Sequence, residues 1–305
     1  MNAREGSEAG RVVEITEVGA RDGLQNEKVV IPTESKVRFI EALVEAGARQ
    51  IEVGSFVSPR WVPAMADTEA VFAGLTMVEG VRYVALVPNL RGFDRARAVG
   101  CNAVAVFTAA SEGFARANIN ATIAQSLAGF RDIAARARDE SVALRGYVST
   151  VFACPYDGPT RPEQVLPIVE ELLAMGAYEV SLGDTIGVGT PADVARLLDV
   201  VLKAVPASRI VMHFHDTWGM GVANVARSLD YGIRRFDASA GGLGGCPFAK
   251  VATGNVATED VLYLLEHLGY STGYRLDGVV RAARELAASL DHALVSRVNK
   301  AFPLT

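Results

Sequence analysis

Short apolar runs rich in β-branched residues alternate with longer segments of helical periodicity along the chain. Such runs are typical of buried parallel strands, and the segments between them place their apolar residues on one face of a helix. The predicted strands span residues 12–18, 50–54, 82–87, 102–107, 142–149, 178–182, 209–214 and 235–239. The predicted helices include residues 34–46, 119–138, 162–175, 191–204 and 222–231.

Turn and capping signals agree with these boundaries. Thr190 and Pro191 are residue types preferred at the N-cap and at the first position of a helix. Four glycines each follow a helical segment and precede a strand, where a left-handed C-terminal cap is expected. These glycines are Gly47, Gly100, Gly176 and Gly232.

Eight strand–helix units without a break in composition predict a parallel sheet, and closing eight strands gives an α/β fold of the (β/α)8 TIM-barrel type. The alternative is an open doubly wound sheet, which usually carries a glycine-rich phosphate loop after its first strand. Residues 19–23 (GARDG) place charges where that loop needs glycines, so the barrel is preferred. We expect one catalytic domain over residues 11–305, with residues 276–298 forming extra C-terminal helices outside the ring.

Composition and charge narrow the class of protein. Hydrophobic residues make up 50% of the 305 residues and charged residues 21%, which suits a folded protein with a large core. The formal net charge of −5 argues against a nucleic-acid partner, because phosphate binding requires a basic surface. No stretch approaches the roughly 20 apolar residues of a membrane helix, so no membrane association is expected.

The N-terminal residues and the cysteines indicate the cellular compartment in which the protein is expected. Residues 1–10 are small and polar and lack the features of a secretory signal or a transit peptide, which predicts a short disordered tail on a cytoplasmic protein. An odd, sparse set of cysteines fits a reducing compartment without a disulfide framework. They are Cys101, Cys154 and Cys246.

Unusual polar residues collect at the predicted carboxyl ends of the strands, where barrel enzymes have their active sites. They are Glu17, Arg21 and Asp22 after the first strand, Glu52 in the second, Ser181 and Asp184 in the sixth, His213 and His215 in the seventh, and Asn255 after the eighth. This placement predicts that they meet at one rim of the barrel.

His213 and His215 are the strongest local signal for a metal. Residues two apart on a strand point to the same side, about 6–7 Å apart, so both imidazoles can reach one ion. The alternative is a polar strand end in which one histidine contacts a backbone carbonyl. Asp22 can reach the same centre, and Asn255 can add a carbonyl oxygen. This mixed set suits Mg²⁺ or Mn²⁺, and Zn²⁺ is less favoured.

Three further side chains have two interpretations each. Arg21 is either part of a loop ion pair or a donor to an oxyanion that develops at the barrel mouth. Glu52 points inward and needs a partner, either Arg21 or a water on the metal. Cys246 lies among glycines, where a lone cysteine is usually a small buried filler, whereas a mobile loop could close it over a substrate.

Taken together, these segments resemble the 3-hydroxy-3-methylglutaryl-CoA lyase family along nearly the full chain. Several of the motifs that carry the similarity are long and unusual. They are residues 17–27 (EVGARDGLQNE), 55–63 (SFVSPRWVP), 145–149 (RGYVS), 154–156 (CPY), 181–191 (SLGDTIGVGTP), 213–219 (HFHDTWG), 242–247 (GLGGCP) and 254–260 (GNVATED).

The resemblance implies a metal-dependent barrel that splits 3-hydroxy-3-methylglutaryl-CoA into acetyl-CoA and acetoacetate, as in leucine degradation and ketone-body metabolism. Arg21 matches the catalytic arginine of the family, and Cys246 matches the cysteine of its mobile glycine-rich loop. The residues that match the metal ligands are Asp22, His213, His215 and Asn255. The residues that match other acidic active-site positions are Glu17, Glu52 and Asp184.

The expected reaction is a retro-aldol cleavage of a CoA thioester. Asp22 is the nearest candidate base, with His213 or a water as alternatives. Arg21 stabilises the thioester enolate, and Cys246 is the candidate proton donor. The residues expected to contact the substrate are Arg21, Asp184, Ser181 and Glu17.

Some positions depart from the family pattern. Trp218 and Phe248 stand where better-known members carry tyrosine, and Val53 and Gly54 are smaller than the common pair of threonines. These departures favour, as an alternative, a lyase for longer 3-hydroxy-3-alkylglutaryl-CoA esters. Two rival functions are a condensing synthase or aldolase on the same barrel and a non-catalytic CoA-ester-binding protein. The resemblance also predicts a homodimer.

Overall fold

The barrel is formed by eight of the ten strands in the computed structural model, which describes residues 11–245 and 254–303. In chain order the strands are β1 (Glu14–Glu17), β2 (Gln50–Ser55), β3 (Arg82–Leu86), β4 (Ala103–Ala109), β5 (Ala143–Ser149), β6 (Ala153–Cys154), β7 (Gly158–Pro159), β8 (Glu179–Asp184), β9 (Ile210–Phe214) and β10 (Arg235–Ala238). β6 and β7 form a small antiparallel hairpin. The other eight are parallel to their neighbours, and β1 pairs with both β2 and β10, which closes the ring. The predicted barrel is confirmed.

Helices follow the barrel strands and cover the outside of the sheet. In chain order they are α1 (Thr33–Glu45), α2 (Thr68–Gly74), α3 (Leu90–Ala98), α4 (Glu112–Ile119), α5 (Ile123–Asp139), α6 (Pro162–Ala174), α7 (Pro191–Val201), α8 (Gly221–Asp230), α9 (Thr258–His267), α10 (Leu276–Ala287) and α11 (Arg297–Ala301). The main hydrophobic core lies between these helices and the sheet. Within the described ranges, every helix is too short or too polar to traverse a bilayer.

The capping predictions hold where the helices begin and end. The Thr190 side chain accepts a hydrogen bond from the backbone N–H of Asp193, so Thr190 is the N-cap of α7. The four glycines expected at helix ends all have positive φ, between 79° at Gly232 and 118° at Gly47. Glycine adopts this region of backbone space without strain, and among other residues mainly asparagine is tolerated there.

One predicted helix is wrong in its extent. The segment predicted as a single helix over residues 119–138 contains the end of α4 and most of α5. Asn120 adopts a left-handed conformation with φ of 52° and ends α4, and Thr122 accepts a hydrogen bond from the Gln125 N–H and starts α5. Apolar periodicity runs through both helices, so it conceals the three-residue break.

The C-terminal region is only partly helical. α10 packs against α1 on the outside of the barrel, as predicted, and a Cβ added at Gly278 would lie 2.8 Å from Ala46 Cβ. Residues 288–296 form no helix, and they lead into the short α11. The backbone N–H of Val295 donates to the Gly241 carbonyl at the barrel mouth. This segment therefore reaches the face where the candidate site lies.

Candidate active site

A tight turn after β1 brings two charged side chains to the barrel mouth. The backbone N–H groups of Arg21, Asp22 and Gly23 all lie within hydrogen-bonding distance of the Val18 carbonyl, at 2.8–3.2 Å. Gly23 is needed here, because a Cβ at this position would lie 2.9 Å from Ser239 Oγ. The turn thus points Arg21 and Asp22, two adjacent residues, into one site.

Asp22, His213 and His215 form a compact group at this rim. One ligand atom from each side chain lies within 4.8 Å of the others. The Nε2 atoms of His213 and His215 lie 3.8 and 3.9 Å from Asp22 Oδ2, and the two rings are 5.3 Å apart between centroids. His213 lies near the end of β9 and His215 directly after it, so the expected convergence of alternate residues is found.

Asn255, from the segment between β10 and α9, completes the group. Its backbone forms a bridge with His215, and its Nδ2 donates to Asp22 Oδ2 at 2.9 Å. Asn255 Oδ1 and His215 Nδ1 are buried and have no hydrogen-bond partner among the described residues. Buried polar atoms are rarely left unsatisfied, so these two atoms point to a ligand that the protein chain does not supply.

The protonation states of Asp22 and His215 suit a cation. Burial lowers the pKa of His215 to about 4, and the neighbouring His213 contributes in the same direction, so the ring is neutral with a free lone pair. Burial would raise the pKa of Asp22, but the charge of Arg21, with a smaller contribution from His213, holds it well below its usual range. An ionised carboxylate and a neutral imidazole are the forms that bind metals.

Glu52 connects Arg21 to the inside of the barrel. Arg21 Nε donates to Glu52 Oε2 at 2.6 Å, and Arg21 Nη1 donates to Asp22 Oδ1 at 2.5 Å. The Tyr147 hydroxyl donates to Glu52 Oε1 at 2.6 Å, and the Glu52 side chain has no solvent exposure. Of the two partners expected for Glu52, the structure brings it to Arg21, whose guanidinium is thereby held against Asp22.

Asp237 is a site residue that the sequence analysis missed. It lies on β10 with Oδ2 3.2 Å from His213 Nδ1, and the same oxygen accepts a hydrogen bond from Ser181 Oγ at 2.7 Å. Its Oδ1 accepts from Arg145 Nη2 at 2.6 Å. Burial would raise the pKa of Asp237, but Arg145 and His213 lower it to about 2, so the carboxylate is ionised. An ionised group in the inward register of a predicted strand was the signal that could have identified it.

Ser181, Glu17 and Asp184 are not part of the Asp22 group. Ser181 is fully buried on β8 and donates to Asp237 from within the barrel. Their predicted contacts with substrate stay predictions.

Glu17 and Asp184 accept hydrogen bonds from the backbone of nearby loops. Glu17 accepts hydrogen bonds from the backbone N–H groups of Gly19 and Ala240 and from the Thr258 hydroxyl. Asp184 accepts from the backbone N–H groups ahead of α7, at residues 188 and 189. Burial raises the pKa of Glu17 to about 7 and that of Asp184 to about 6.

Comparison with known families identifies the family of the chain that carries this site. The HMGL-like family model matches residues 12–286 of the chain. The chain belongs to the HMGL-like family. The 3-hydroxy-3-isohexenylglutaryl-CoA/hydroxy-methylglutaryl-CoA lyase of Pseudomonas aeruginosa is 52% identical to this HMGL-like protein over 289 residues, which is 95% of this chain and 96% of that protein.

Solved structures of HMG-CoA lyases share the whole fold with this HMGL-like protein. The crystal structure of hydroxymethylglutaryl-CoA lyase from Pseudomonas aeruginosa superposes with a TM-score of 0.93 at 52% identity, covering 95% of this chain and 97% of that one. An HMG-CoA lyase from Acinetobacter baumannii, in complex with coenzyme A and 3-methylmalate, gives a TM-score of 0.92 at 38% identity, covering 100% and 98% of the two chains.

The glycine-rich segment of this HMGL-like protein borders the site on the far side of Asn255. A Cβ at Gly244 would lie 2.7 Å from Asn255 Nδ2, so this glycine permits the close approach. Asn26 Nδ2 donates to the Gly245 carbonyl at 2.7 Å. Cys246 and Phe248 lie outside the described residues, so the predicted roles of both stay predictions. Cys101 and Cys154 are buried free cysteines.

A cavity of about 490 Å³ opens beside Asn255 at the barrel mouth. Its lining includes Trp218 from the loop after β9 and Val295, Arg297 and Lys300 from the C-terminal segment. The Trp218 side chain is 67% exposed. Of the four candidate metal ligands, Asn255 lines this cavity.

Proposed function

We propose that this HMGL-like protein is a divalent-metal-dependent lyase that cleaves 3-hydroxy-3-methylglutaryl-CoA into acetyl-CoA and acetoacetate. The observation that carries the proposal is the group of Asp22, His213 and His215, with two unsatisfied buried ligand atoms, directly beside Arg21. The relatives from Pseudomonas and from human, which are all named for this activity, support the same reaction.

Asp22, His213, His215 and Asn255 would hold the cation. Two nitrogens, a carboxylate and an amide oxygen form a mixed and fairly hard ligand set, which favours Mg²⁺ or Mn²⁺ over Zn²⁺. When bound, such an ion supplies a Lewis acid that lowers the pKa of a substrate hydroxyl by several units.

Proton removal from the substrate hydroxyl is assigned to Asp22, with His213 as the alternative. Asp22 is ionised and can accept a proton, although its low pKa makes it a weak base. His213 is held by Asp237 at Nδ1, which directs its Nε2 toward Asp22. Either group lies at the same rim and can act on the same hydroxyl.

Arg21 is assigned to the developing enolate. Its guanidinium is fixed by Glu52 and Asp22, so little reorganisation is needed when charge develops on the thioester oxygen. A donor of this kind contributes roughly 3–4 kcal/mol to transition-state stabilisation. Cys246 is proposed as the donor that protonates the resulting carbanion, on the basis of its motif alone.

A longer 3-alkyl branch is a second candidate feature of the substrate. The relative from Pseudomonas aeruginosa is named for an isohexenyl ester as well as the methyl ester. The cavity beside Asn255 has an exposed indole, Trp218, in its wall, and it offers room beyond a methyl group. We propose that esters with longer branches are also cleaved.

We further propose that the protein acts in the cytoplasm as a homodimer whose catalytic domain spans residues 11–305. Its partner molecule is a CoA thioester, and its reaction belongs to leucine degradation and acetoacetate formation.

The decisive experiment is an assay for acetyl-CoA released from a panel of 3-hydroxy-3-alkylglutaryl-CoA esters, with and without a chelator. We expect release that chelation abolishes and that Mg²⁺ or Mn²⁺ restores. Free CoA from acetyl-CoA and a 2-oxo acid, without cleavage of any ester, would instead identify a condensing synthase. Ester binding without turnover would identify a non-catalytic barrel.

Two variants separate metal binding from chemistry. His215→Ala should lose both the bound metal and activity, since it removes a ligand. Arg21→Gln should keep the metal content and slow turnover by about a hundredfold or more. Metal retained by His215→Ala, or a nearly unchanged rate in Arg21→Gln, would overturn the corresponding assignment.

A further inference from the structure

A second group of ligand-type side chains lies apart from the candidate active site. Glu27, from the loop between β1 and α1, meets Asp291 and His292, from the segment that follows α10. One ligand atom of each lies within 4.8 Å of the others. Glu27 and His292 are separated by 265 positions along the chain, so the fold brings the three side chains together. The group shares no residue with Asp22, His213 and His215.

The histidine of this group faces oxygen atoms on both ring nitrogens. His292 Nε2 lies 2.9 Å from Glu27 Oε2, and Nδ1 lies 3.1 Å from the Ala293 carbonyl. A neutral imidazole carries only one proton, so it can satisfy one of these acceptors but not both. His292 is therefore either an imidazolium paired with Glu27 or a neutral ring whose Nε2 lone pair shares a cation with the Glu27 carboxylate.

Glu27 makes a cation the better occupant of that position. Its side chain is only 7% exposed, although the His292 side chain is 46% exposed. The carboxylate is thus removed from water, while Asp291 adds a second negative charge to the same group. Asp291 is exposed, so the nearly buried Glu27 carboxylate has the greater need of a cation, and a divalent ion would neutralise both carboxylates where an imidazolium neutralises one.

We propose that Glu27, Asp291 and His292 form a second metal site, selective for Zn²⁺ or a similar borderline ion over Mg²⁺. One imidazole, two carboxylates and a water satisfy a tetrahedral ion of this class, with ligand distances of roughly 2.0–2.2 Å. The contact of Nδ1 with the Ala293 carbonyl leaves the Nε2 lone pair for the metal, which is the usual arrangement around a liganding histidine.

An ion at this site joins two segments that border the barrel mouth. Asn26, next to Glu27, donates to the Gly245 carbonyl, and Val295, three residues after His292, donates to the Gly241 carbonyl. Metal binding to the folded state alone raises the free energy of unfolding. Zn²⁺ should therefore stabilise the C-terminal segment against the loop after β1.

Stoichiometry of Zn²⁺ binding tests the proposal on the full-length protein. In equilibrium dialysis against Zn²⁺ with metal analysis, we expect two bound ions for the unmodified protein and one for His292→Ala. His215→Ala should also retain one ion. A background of excess Mg²⁺ should compete at the Asp22 group and spare the site at His292.

His267→Ala is the matched control. His267 is exposed on α9, and its Nδ1 also lies beside a backbone carbonyl, that of Tyr263, so this variant should still bind two ions. Glu27→Gln should lose the same ion as His292→Ala, and circular dichroism of each variant checks that the fold is kept.

Two ions retained by both His292→Ala and Glu27→Gln would overturn the proposal, as would a single ion that only His215→Ala removes. A single ion that His292→Ala removes and His215→Ala spares would support this site and contradict the metal assignment in the proposed function. The two proposals can therefore fail independently.

Discussion

At the scale of single residues, Asp237 determines what His213 can do. A carboxylate at Nδ1 holds the proton on that nitrogen, fixes the ring orientation and leaves Nε2 free to face Asp22. Arg145 and Ser181 in turn fix the Asp237 carboxylate. The proposed metal ligand therefore depends on a residue that does not itself reach the rim.

Asp237→Asn should weaken metal binding by roughly 10–100-fold, because an amide cannot hold the imidazole as an ionised carboxylate does. Titration calorimetry with Mn²⁺ measures the affinity, and the rate as a function of metal concentration shows whether turnover recovers at saturation. The exposed Asp199→Asn is the control and should match the unmodified protein. Unchanged affinity in Asp237→Asn would remove its positioning role.

The sequence revealed the residues at the rim and Glu52 behind them, but not Asp237 or its contact with Arg145. His213 and His215 could be paired from spacing alone, since alternate residues of a strand share a face. Asp237 and Arg145 are 92 positions apart, and only the register of the closed barrel brings them into contact. A one-residue change in that register would have reversed the inward faces, so single-strand patterns could not fix these contacts.

At the scale of elements, Glu17 links the end of β1 by hydrogen bonds to the segment after β10 and to the start of α9. Its carboxylate accepts from the backbone at Ala240 and from Thr258 at the start of α9. Burial raises its pKa from 4.5 to about 7, with a smaller contribution from the nearby Glu259. Burial thus favours a protonated Glu17 in the folded protein, although its three hydrogen bonds favour the ionised form, and the unfolded chain would lose this proton at lower pH.

Stability should consequently fall as the pH rises from about 4.5 to 7, because in this window the folded state binds more protons than the unfolded state. Glu17→Gln imitates the protonated form and should reduce this loss by about 3 kcal/mol, the equivalent of the pKa shift. Urea unfolding at several pH values measures it, with the exposed Glu45→Gln as control. If the free energy of unfolding depends on pH in the same way in Glu17→Gln and in the unmodified protein, the raised pKa of Glu17 is contradicted.

Element types were easier to predict than their ends. All eight barrel strands lie where the apolar runs placed them, because burial on both faces leaves a strong signal. The division between α4 and α5 depends on the left-handed Asn120, a local backbone choice that hydrophobic periodicity does not record. Residues 288–296 were likewise expected to be helical, and their contacts with the mouth are tertiary.

At the scale of the whole molecule, the barrel interior is charged where many barrels are apolar. Arg145 has no exposure and forms ion pairs with Glu179 at 2.7 Å and Asp237 at 2.6 Å, while Glu52 lies at 3.6 Å. These residues come from four strands, β2, β5, β8 and β10, around the ring. Residue patterns indicated a barrel, but they gave no account of how its interior balances charge.

Arg145→Met should destabilise the protein by about 3–5 kcal/mol, because it leaves buried carboxylates without their cation. Denaturation in urea measures the change, and the exposed Arg138→Met serves as the matched control with little effect. A stability loss no greater than that of the control would mean that the interior charges are independently satisfied.

The interior network also has a consequence for enzyme engineering. Arg21 is held by Glu52, Glu52 by Tyr147, and His213 by Asp237, so each rim group has its support one layer deeper. Grafting only the visible rim onto another eight-stranded scaffold would transfer the reactive atoms without their restraints. A working transplant must carry the inner layer with it.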